Sequence, residues 1–124
     1  MKFATAINCM DGRVQLPVIN YIKKEYKKEF IDMITEPGPN KILSENKDSC
    51  IIESIQKRLD ISINNHGSDL VAVVGHYDCA ANTLGDEAQK KQIIIASKLV
   101  ASWYSKIDVI GLWVDCNWTV EKIY

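Results

Sequence analysis

Short apolar runs alternate along the chain with longer segments in which apolar residues recur every three or four positions. Four runs are strand candidates, at residues 2–8, 30–35, 70–75 and 109–114. The run at 70–75 (LVAVVG) is apolar at almost every position, which is typical of a strand that is buried on both faces of a sheet. The strongest break is Glu36-Pro-Gly-Pro-Asn40, directly after the second run. Residues 41–47 have no clear pattern.

Three segments between these runs have helical periodicity. The first begins near residues 14–16, the second after an N-cap at Asp48 or Ser49, and the third at Asp86 or Glu87. Gly67 is placed to end the second helix. The apolar faces predicted for the three helices are Val14, Val18, Tyr21 and Ile22; Ile52, Ile55, Leu59 and Ile63; and Ile95, Leu99 and Trp103.

The alternation of strands and helices predicts an α/β fold. It is typical of a central, mostly parallel, four-stranded sheet with helices on both faces, in a single domain spanning residues 1–124. Right-handed crossovers favour the strand order 2-1-3-4, in which strands 1 and 3 are neighbours and the winding reverses between them. Ligands bind such sheets at the carboxyl ends of the strands that flank the reversal. Residues 118–123 are expected to form a short edge segment.

The charge and composition of the chain limit the kinds of partner that the protein is expected to bind. The net charge is −1, which gives no electrostatic reason to expect nucleic acid or a membrane surface as a partner. No apolar run is long enough for a membrane span, and no secretory signal is visible at the start. The expected location is the cytoplasm, where four cysteines are more typical of thiols or metal ligands than of disulfides.

Candidate chemistry follows two of the strands. Cys9, Asp11 and Arg13 come at and after the end of strand 1, and His76 and Cys79 follow strand 3. Two thiolates and one imidazole suit Zn²⁺, and three protein ligands leave a fourth position open. Three alternatives remain from the residues alone: a closed structural Cys₂HisAsp zinc site with Asp11 as the fourth ligand, no metal at all, or a disulfide between Cys9 and Cys79.

Asp11 and Arg13 suggest a site with two states. The arginine is always charged and forms paired hydrogen bonds with a carboxylate, so it can hold Asp11. While Asp11 is held, the metal has room for water. With Asp11 on the metal, the site is closed and inert.

The pattern Cys9-x-Asp11-x-Arg13, followed further along the chain by His76-x-x-Cys79, resembles the zinc signature of the β-class carbonic anhydrases. The turn at residues 36–40 and the segment VAVVGHYDC fall in that family's order. The resemblance implies a zinc lyase that hydrates CO₂ reversibly to bicarbonate by zinc-bound hydroxide. It implies Cys9, His76 and Cys79 as ligands and Asp11 with Arg13 as the catalytic dyad. It also implies a homodimer with its active sites near the interface.

The chain departs from that family's pattern in ways typical of a short, divergent member. The family's N-terminal helical arm and the glutamine before strand 1 have no counterpart before Cys9, and Ala80 stands where glycine usually follows the second cysteine. Two other functions therefore stay open: a non-catalytic protein with a closed zinc site, and a zinc hydrolase that acts on a carbon–sulfur analogue of CO₂.

Several neighbouring residues have weaker claims. Tyr77 and Asp78 are expected either to line the mouth of the site or to cap its loop. Asn82 is expected in a turn, with anion binding as the alternative. Cys50 and Cys116 are expected to be buried as small apolar side chains.

Overall fold

The sheet has five strands, in the order β2-β1-β3-β4-β5. The computed structural model describes residues 2–124. The strands are β1 (Phe3–Cys9), β2 (Phe30–Glu36), β3 (Leu70–His76), β4 (Asp108–Val114) and β5 (Val120–Lys122). The helices are α1 (Gln15–Tyr26), α2 (Pro39–Glu45), α3 (Ser49–His66) and α4 (Asp86–Trp103), with a 3₁₀ turn at Gly12–Val14 before α1.

The predicted α/β class and the order 2-1-3-4 are confirmed, and the short edge segment expected at residues 118–123 contains a fifth strand. The fifth strand, β5, is short and pairs with β4 in the antiparallel direction. The chain can turn back because the Asp115 carboxylate accepts hydrogen bonds from the backbone amides of Asn117 and Thr119, both at 2.9 Å. Such local bonds compensate the backbone groups that a tight turn leaves free.

Of residues 41–47, which showed no clear pattern, residues 41–45 belong to a helix. The segment that interrupts regular secondary structure after β2 ends at Gly38, which has a φ of 64°, and α2 begins directly after it. Pro39 is the first helical residue, where a fixed φ and a missing N–H cost nothing. The helix ends at Asn46, also in the left-handed region.

The parallel strands are covered on both faces, which is why they are almost continuously apolar. Successive side chains of a strand point to opposite faces. Ala4 and Ala6 therefore pack with α1, whereas Ile7 packs with the helices of the opposite face. That opposite face carries α2, α3 and α4.

The predicted apolar faces of the first two helices are confirmed: Val18 and Ile22 of α1 and Ile55 and Leu59 of α3 are fully buried. Of the face predicted for the third helix, Leu99 and Trp103 pack partly buried against the core, but the prediction is wrong for Ile95, which is 53% exposed. The side of α4 that faces the sheet carries Gln89, Ile93, Ala96, Ser97 and Val100.

Gly75 allows close packing immediately before the end of β3. A Cβ atom at this position would lie 2.7 Å from Asn40 Nδ2 and 2.8 Å from Ile93 Cδ1. Both distances are shorter than a van der Waals contact, so α2 and α4 approach β3 as closely as they do because residue 75 has no side chain. Within the described part of the chain, residues 2–124, no helix has both the length and the apolar character needed to cross a bilayer.

Candidate metal centre

Two neighbouring strand ends bring the predicted ligand residues together. Cys9 ends β1 and His76 ends β3, and these strands pair directly in the parallel direction. Cys79 follows in the loop after β3. The two sulfurs and one ring nitrogen of these buried residues all lie within 4.8 Å of one another. The sheet thus places three soft or borderline donors at one point of its carboxyl edge, where they could hold a metal ion.

The spacing of the two thiols fits a tetrahedral zinc ion. Cys9 Sγ lies 3.9 Å from Cys79 Sγ. With Zn–S bonds of about 2.3 Å, tetrahedral geometry separates two sulfurs by about 3.8 Å. Both cysteines are free thiols, so the alternative of a disulfide between them is not formed.

His76 presents one nitrogen to the thiols. Its Nδ1 lies 2.7 Å from the carbonyl oxygen of Tyr77. A carbonyl can only accept, so Nδ1 carries the proton and Nε2 holds the lone pair. Among residues 2–124, this buried Nε2 has no hydrogen-bond partner. A buried acceptor without a partner is costly, and a metal ion between Nε2 and the thiols would satisfy it.

The two thiols have different acidity. Burial by itself raises the pKa of Cys9, but the adjacent His76 ring and the backbone amides of Gly38 and Asp11 outweigh it and lower the pKa to about 7. Burial raises the pKa of Cys79, and the neighbouring Cys9 raises it further. Cys9 is therefore the thiol that more readily adopts the thiolate form in which cysteine binds metals.

Asp11 is held away from the three donors by Arg13. The Arg13 Nη2 donates to Asp11 Oδ2 at 2.7 Å, Nε donates to Oδ1 at 3.0 Å, and the backbone amide of Arg13 donates to Oδ1 at 2.9 Å. These hydrogen bonds lower the pKa of Asp11 to about 2. The Oδ2 atom is still only 4.0 Å from His76 Nε2. The carboxylate is thus ionised, clamped and next to the centre.

The loop that carries Asp11 is itself anchored. The side-chain amide of Gln15 donates to the carbonyl oxygens of Cys9 and Asp11, at 2.7 and 2.8 Å. The backbone amide of Cys9 donates to the Asn8 side chain. These contacts fix the direction in which Cys9 and Asp11 leave the strand.

A small cavity opens beside the thiols. It has a volume of about 220 Å³ and is lined by Cys9, Met10, Asp11, Pro37, Ala80 and Ala81. Most of these side chains are apolar. The space next to the cluster therefore suits a small molecule with little charge.

Sequence reasoning left the partners of Arg13 open. Asp78, whose role was undecided, forms an ion pair with Arg13 at 3.1 Å, and the ring of Trp118 lies over the guanidinium. Asn82, expected in a turn, does follow Cys79 in one but is fully buried. Its side-chain amide donates to Gln92, and its backbone carbonyl accepts from Gln89. No local pattern in the sequence indicated this buried polar cluster.

The expectation for the other two cysteines is wrong. Cys50 and Cys116 are exposed. Cys50 lies in the first turn of α3 on its solvent side, and Cys116 lies in the polar turn between β4 and β5. Neither is part of the cluster.

Comparison with known families adds a finding to this geometry. The model of a family described as "Putative carbonic anhydrase" matches residues 1–124. The chain belongs to this carbonic anhydrase family. No curated protein sequence is significantly similar to it.

Solved structures of carbonic anhydrases share the fold of this family member. A carbonic anhydrase from Glaciozyma antarctica is 14% identical, with a TM-score of 0.64 over 98% of this chain and 81% of the other. A β-carbonic anhydrase of Aspergillus fumigatus is 12% identical, with a TM-score of 0.55 over 98% and 74%. One of two tetrameric β-carbonic anhydrases of Sordaria macrospora is 12% identical, with a TM-score of 0.53 over 98% and 80%. The resemblance to the β-class carbonic anhydrases is thereby confirmed.

Proposed function

We propose that this carbonic anhydrase family member is a zinc enzyme that hydrates CO₂ reversibly to bicarbonate and a proton. Cys9, His76 and Cys79 would hold the metal. The observation that carries the proposal is the Nε2 of His76, which is buried beside two free thiols and has no hydrogen-bond partner among residues 2–124. A site made only for packing would not leave such an atom without a partner.

Zinc bound by these residues would supply a Lewis acid that lowers the pKa of water toward about 7. The chain's own residues would orient the reaction. Asp11, held by Arg13, has its Oδ2 atom 4.0 Å from His76 Nε2 and would take a hydrogen bond from the reacting water. The apolar walls of the cavity, Met10, Pro37 and Ala81 among them, would receive CO₂, which is small and uncharged.

The clamped carboxylate favours this function over the closed structural site. Asp11 directs its oxygens to Arg13, and a purely structural fourth ligand would gain nothing from that ion pair. The arrangement therefore supports a metal with one position left for water. No observation favours a carbon–sulfur substrate over CO₂.

The direct test is stopped-flow CO₂ hydration with protein that carries one zinc per chain, at pH 7 and again near pH 9. We expect hydration that disappears when a chelator removes the metal and returns when zinc is restored. The metal-free protein is the control for the spontaneous reaction. Zinc-loaded protein that is inactive at both pH values would overturn the proposed function.

We further propose that the enzyme is a homodimer that associates through the end of the molecule carrying the cluster. Four large apolar side chains at this end are exposed by 43% to 68%: Met10, Leu16, Tyr77 and Leu84. A second copy docked over this end would remove these side chains from water. A fungal relative in the comparison is tetrameric, so association occurs in proteins of this fold.

Sedimentation velocity at micromolar concentration checks this association. We expect a dimer for the natural chain and a monomer for Leu16→Glu. The matched control is Ile61→Glu, because Ile61 is similarly exposed, at 55%, but lies on α3. A monomeric natural chain would refute the dimer, and a monomer produced equally by both variants would refute the proposed surface.

A further inference from the structure

The Arg13 guanidinium is held on more sides than its pairing with Asp11 requires. Its Nη1 donates to Asp78 Oδ2 at 3.1 Å, and its Nη2 donates to the carbonyl oxygen of Asp78 at 3.0 Å. The guanidinium carbon also lies 4.7 Å from the centre of the Trp118 ring, a cation–π distance. The two residues come from different loops: Asp78 follows β3, and Trp118 follows β4.

Both residues that hold Arg13 have a left-handed backbone. Asp78 has a φ of 57° and Trp118 a φ of 59°. Aspartate tolerates the left-handed region, but a bulky side chain such as tryptophan is strained there. The other non-glycine residues in this region, Lys27 and Asn46, are helix C-caps, where the conformation is ordinary. Strain maintained away from a helix end is often a feature of functional sites.

The conformations of the two loops place both groups against the guanidinium. Asp115 holds the turn around Trp118, through the hydrogen bond from the Trp118 amide to its carbonyl at 3.0 Å. The β3 loop starts from the hydrogen bond between the Tyr77 amide and the Val114 carbonyl at 2.9 Å. Two adjacent strand ends therefore anchor the groups that surround Arg13.

The position of Arg13 matters because Asp11 has a second possible partner. Its Oδ2 lies 4.0 Å from His76 Nε2, so a short movement would bring the carboxylate into the metal cluster. We propose that Asp78 and Trp118 are positioning residues, which hold Arg13 where it keeps Asp11 off the metal. The inference rests on the proposed metal site, and it adds two residues to the control of that site.

Anion binding to the cobalt-substituted protein tests the role of these residues without any measurement of CO₂ hydration. Thiocyanate added to the Co²⁺ protein changes its visible spectrum only where a metal position is exchangeable. If Asp11 occupies that position in part of the molecules, the apparent affinity falls in proportion. For the double variant Asp78→Gly with Trp118→Leu we expect a loss of about tenfold or more in thiocyanate affinity. Glycine at residue 78 keeps the left-handed backbone available.

Conservative variants, and the same double variant made in the Asp11→Asn protein, distinguish a positioning role of these residues from a general effect on the stability of the fold. Asp78→Asn keeps an acceptor and a residue that tolerates a positive φ, and Trp118→Phe keeps an aromatic face, so both should bind thiocyanate within about threefold of the natural chain. In protein that also carries Asp11→Asn, the carboxylate that closes the site is gone. The double variant should then cause no further loss.

Each result of this experiment decides the proposal. Unchanged thiocyanate affinity in the double variant would overturn it, and so would an equal loss in the Asp11→Asn background. Should the double variant fail to retain cobalt, the single variants take its place, and two singles with unchanged affinity would also overturn it. Absence of CO₂ hydration in the natural chain would refute the proposed function but would not alter this result.

Discussion

Replacing Arg13 with alanine should lower kcat/KM for CO₂ hydration by about 100-fold or more while zinc stays at one per chain. The arginine contributes no atom to the cluster, so metal binding should survive. It supplies the side-chain hydrogen bonds that hold Asp11 at 2.7 to 3.2 Å. Losing a positioned catalytic group costs roughly 10²- to 10⁴-fold in rate. Without the clamp, Asp11 is free to bind the metal itself, and the site closes.

Three measurements on Arg13→Ala separate the possible causes: hydration by stopped flow, zinc content, and thiocyanate affinity of the cobalt form. We expect the hydration rate and the thiocyanate affinity to fall and the zinc content to stay unchanged. Lys28→Ala is a control, since Lys28 pairs with Asp69 directly before the amino end of β3, the end of the sheet opposite the cluster, and its removal should leave hydration unchanged. Arg13→Lys keeps the charge but loses the planar fork, so it should recover only part of the activity. A structure of Arg13→Ala with Asp11 off the metal and water in its place would contradict the clamp.

The placement of Cys9 and His76 could be predicted because it depends on few choices. Each residue ends a strand, and right-handed crossovers allow few strand orders, among them 2-1-3-4, in which those strands are neighbours. The carboxyl ends of parallel neighbours share one edge. The geometry of the cluster agrees with that logic, while the roles of these residues as ligands remain predictions for the experiments.

The contacts of Arg13 could not be predicted in the same way. Asp78 and Trp118 reach it from loops whose backbones adopt positive φ values, which is unusual above all for tryptophan. A local sequence pattern cannot predict a backbone conformation that tertiary contacts impose. Trp118 is also far from Arg13 in the sequence, so no spacing connects the two.

The buried face of α4 shows a second limit. Ile93, Ile94 and Ile95 are consecutive, so the helical period alone fits several faces. The face that packs on the sheet includes Gln89, a polar residue that a search for apolar stripes rejects. Gln89 can be buried because its amide donates to the carbonyls of Asn82 and Leu84, while Asn40 donates to its oxygen. Polar residues that satisfy one another become recognisable as a group only in three dimensions.

Replacing Cys9 with serine should remove both zinc and CO₂ hydration while the chain stays folded. Loss of a partner outside the metal's own ligands already costs roughly 10- to 100-fold in metal affinity, and loss of a ligand should cost more. The fold does not depend on this one residue, because apolar clusters cover both faces of the sheet and Cys9 is a small member of one of them. Zinc content after gel filtration, hydration rate and thermal unfolding by circular dichroism are the measurements.

Cys50→Ser is the matched control for that substitution, since Cys50 is an exposed thiol outside the cluster. It should keep zinc, hydration and the melting temperature of the natural chain. A Cys9→Ser protein that still binds one zinc per chain with unchanged affinity would contradict the ligand assignment. A Cys9→Ser protein that is unfolded would instead favour a structural zinc site. In such a protein the free energy of metal binding is needed to stabilise the folded chain. The two failures differ, so this one pair of variants distinguishes a catalytic centre built on a stable sheet from a metal that the sheet needs in order to form.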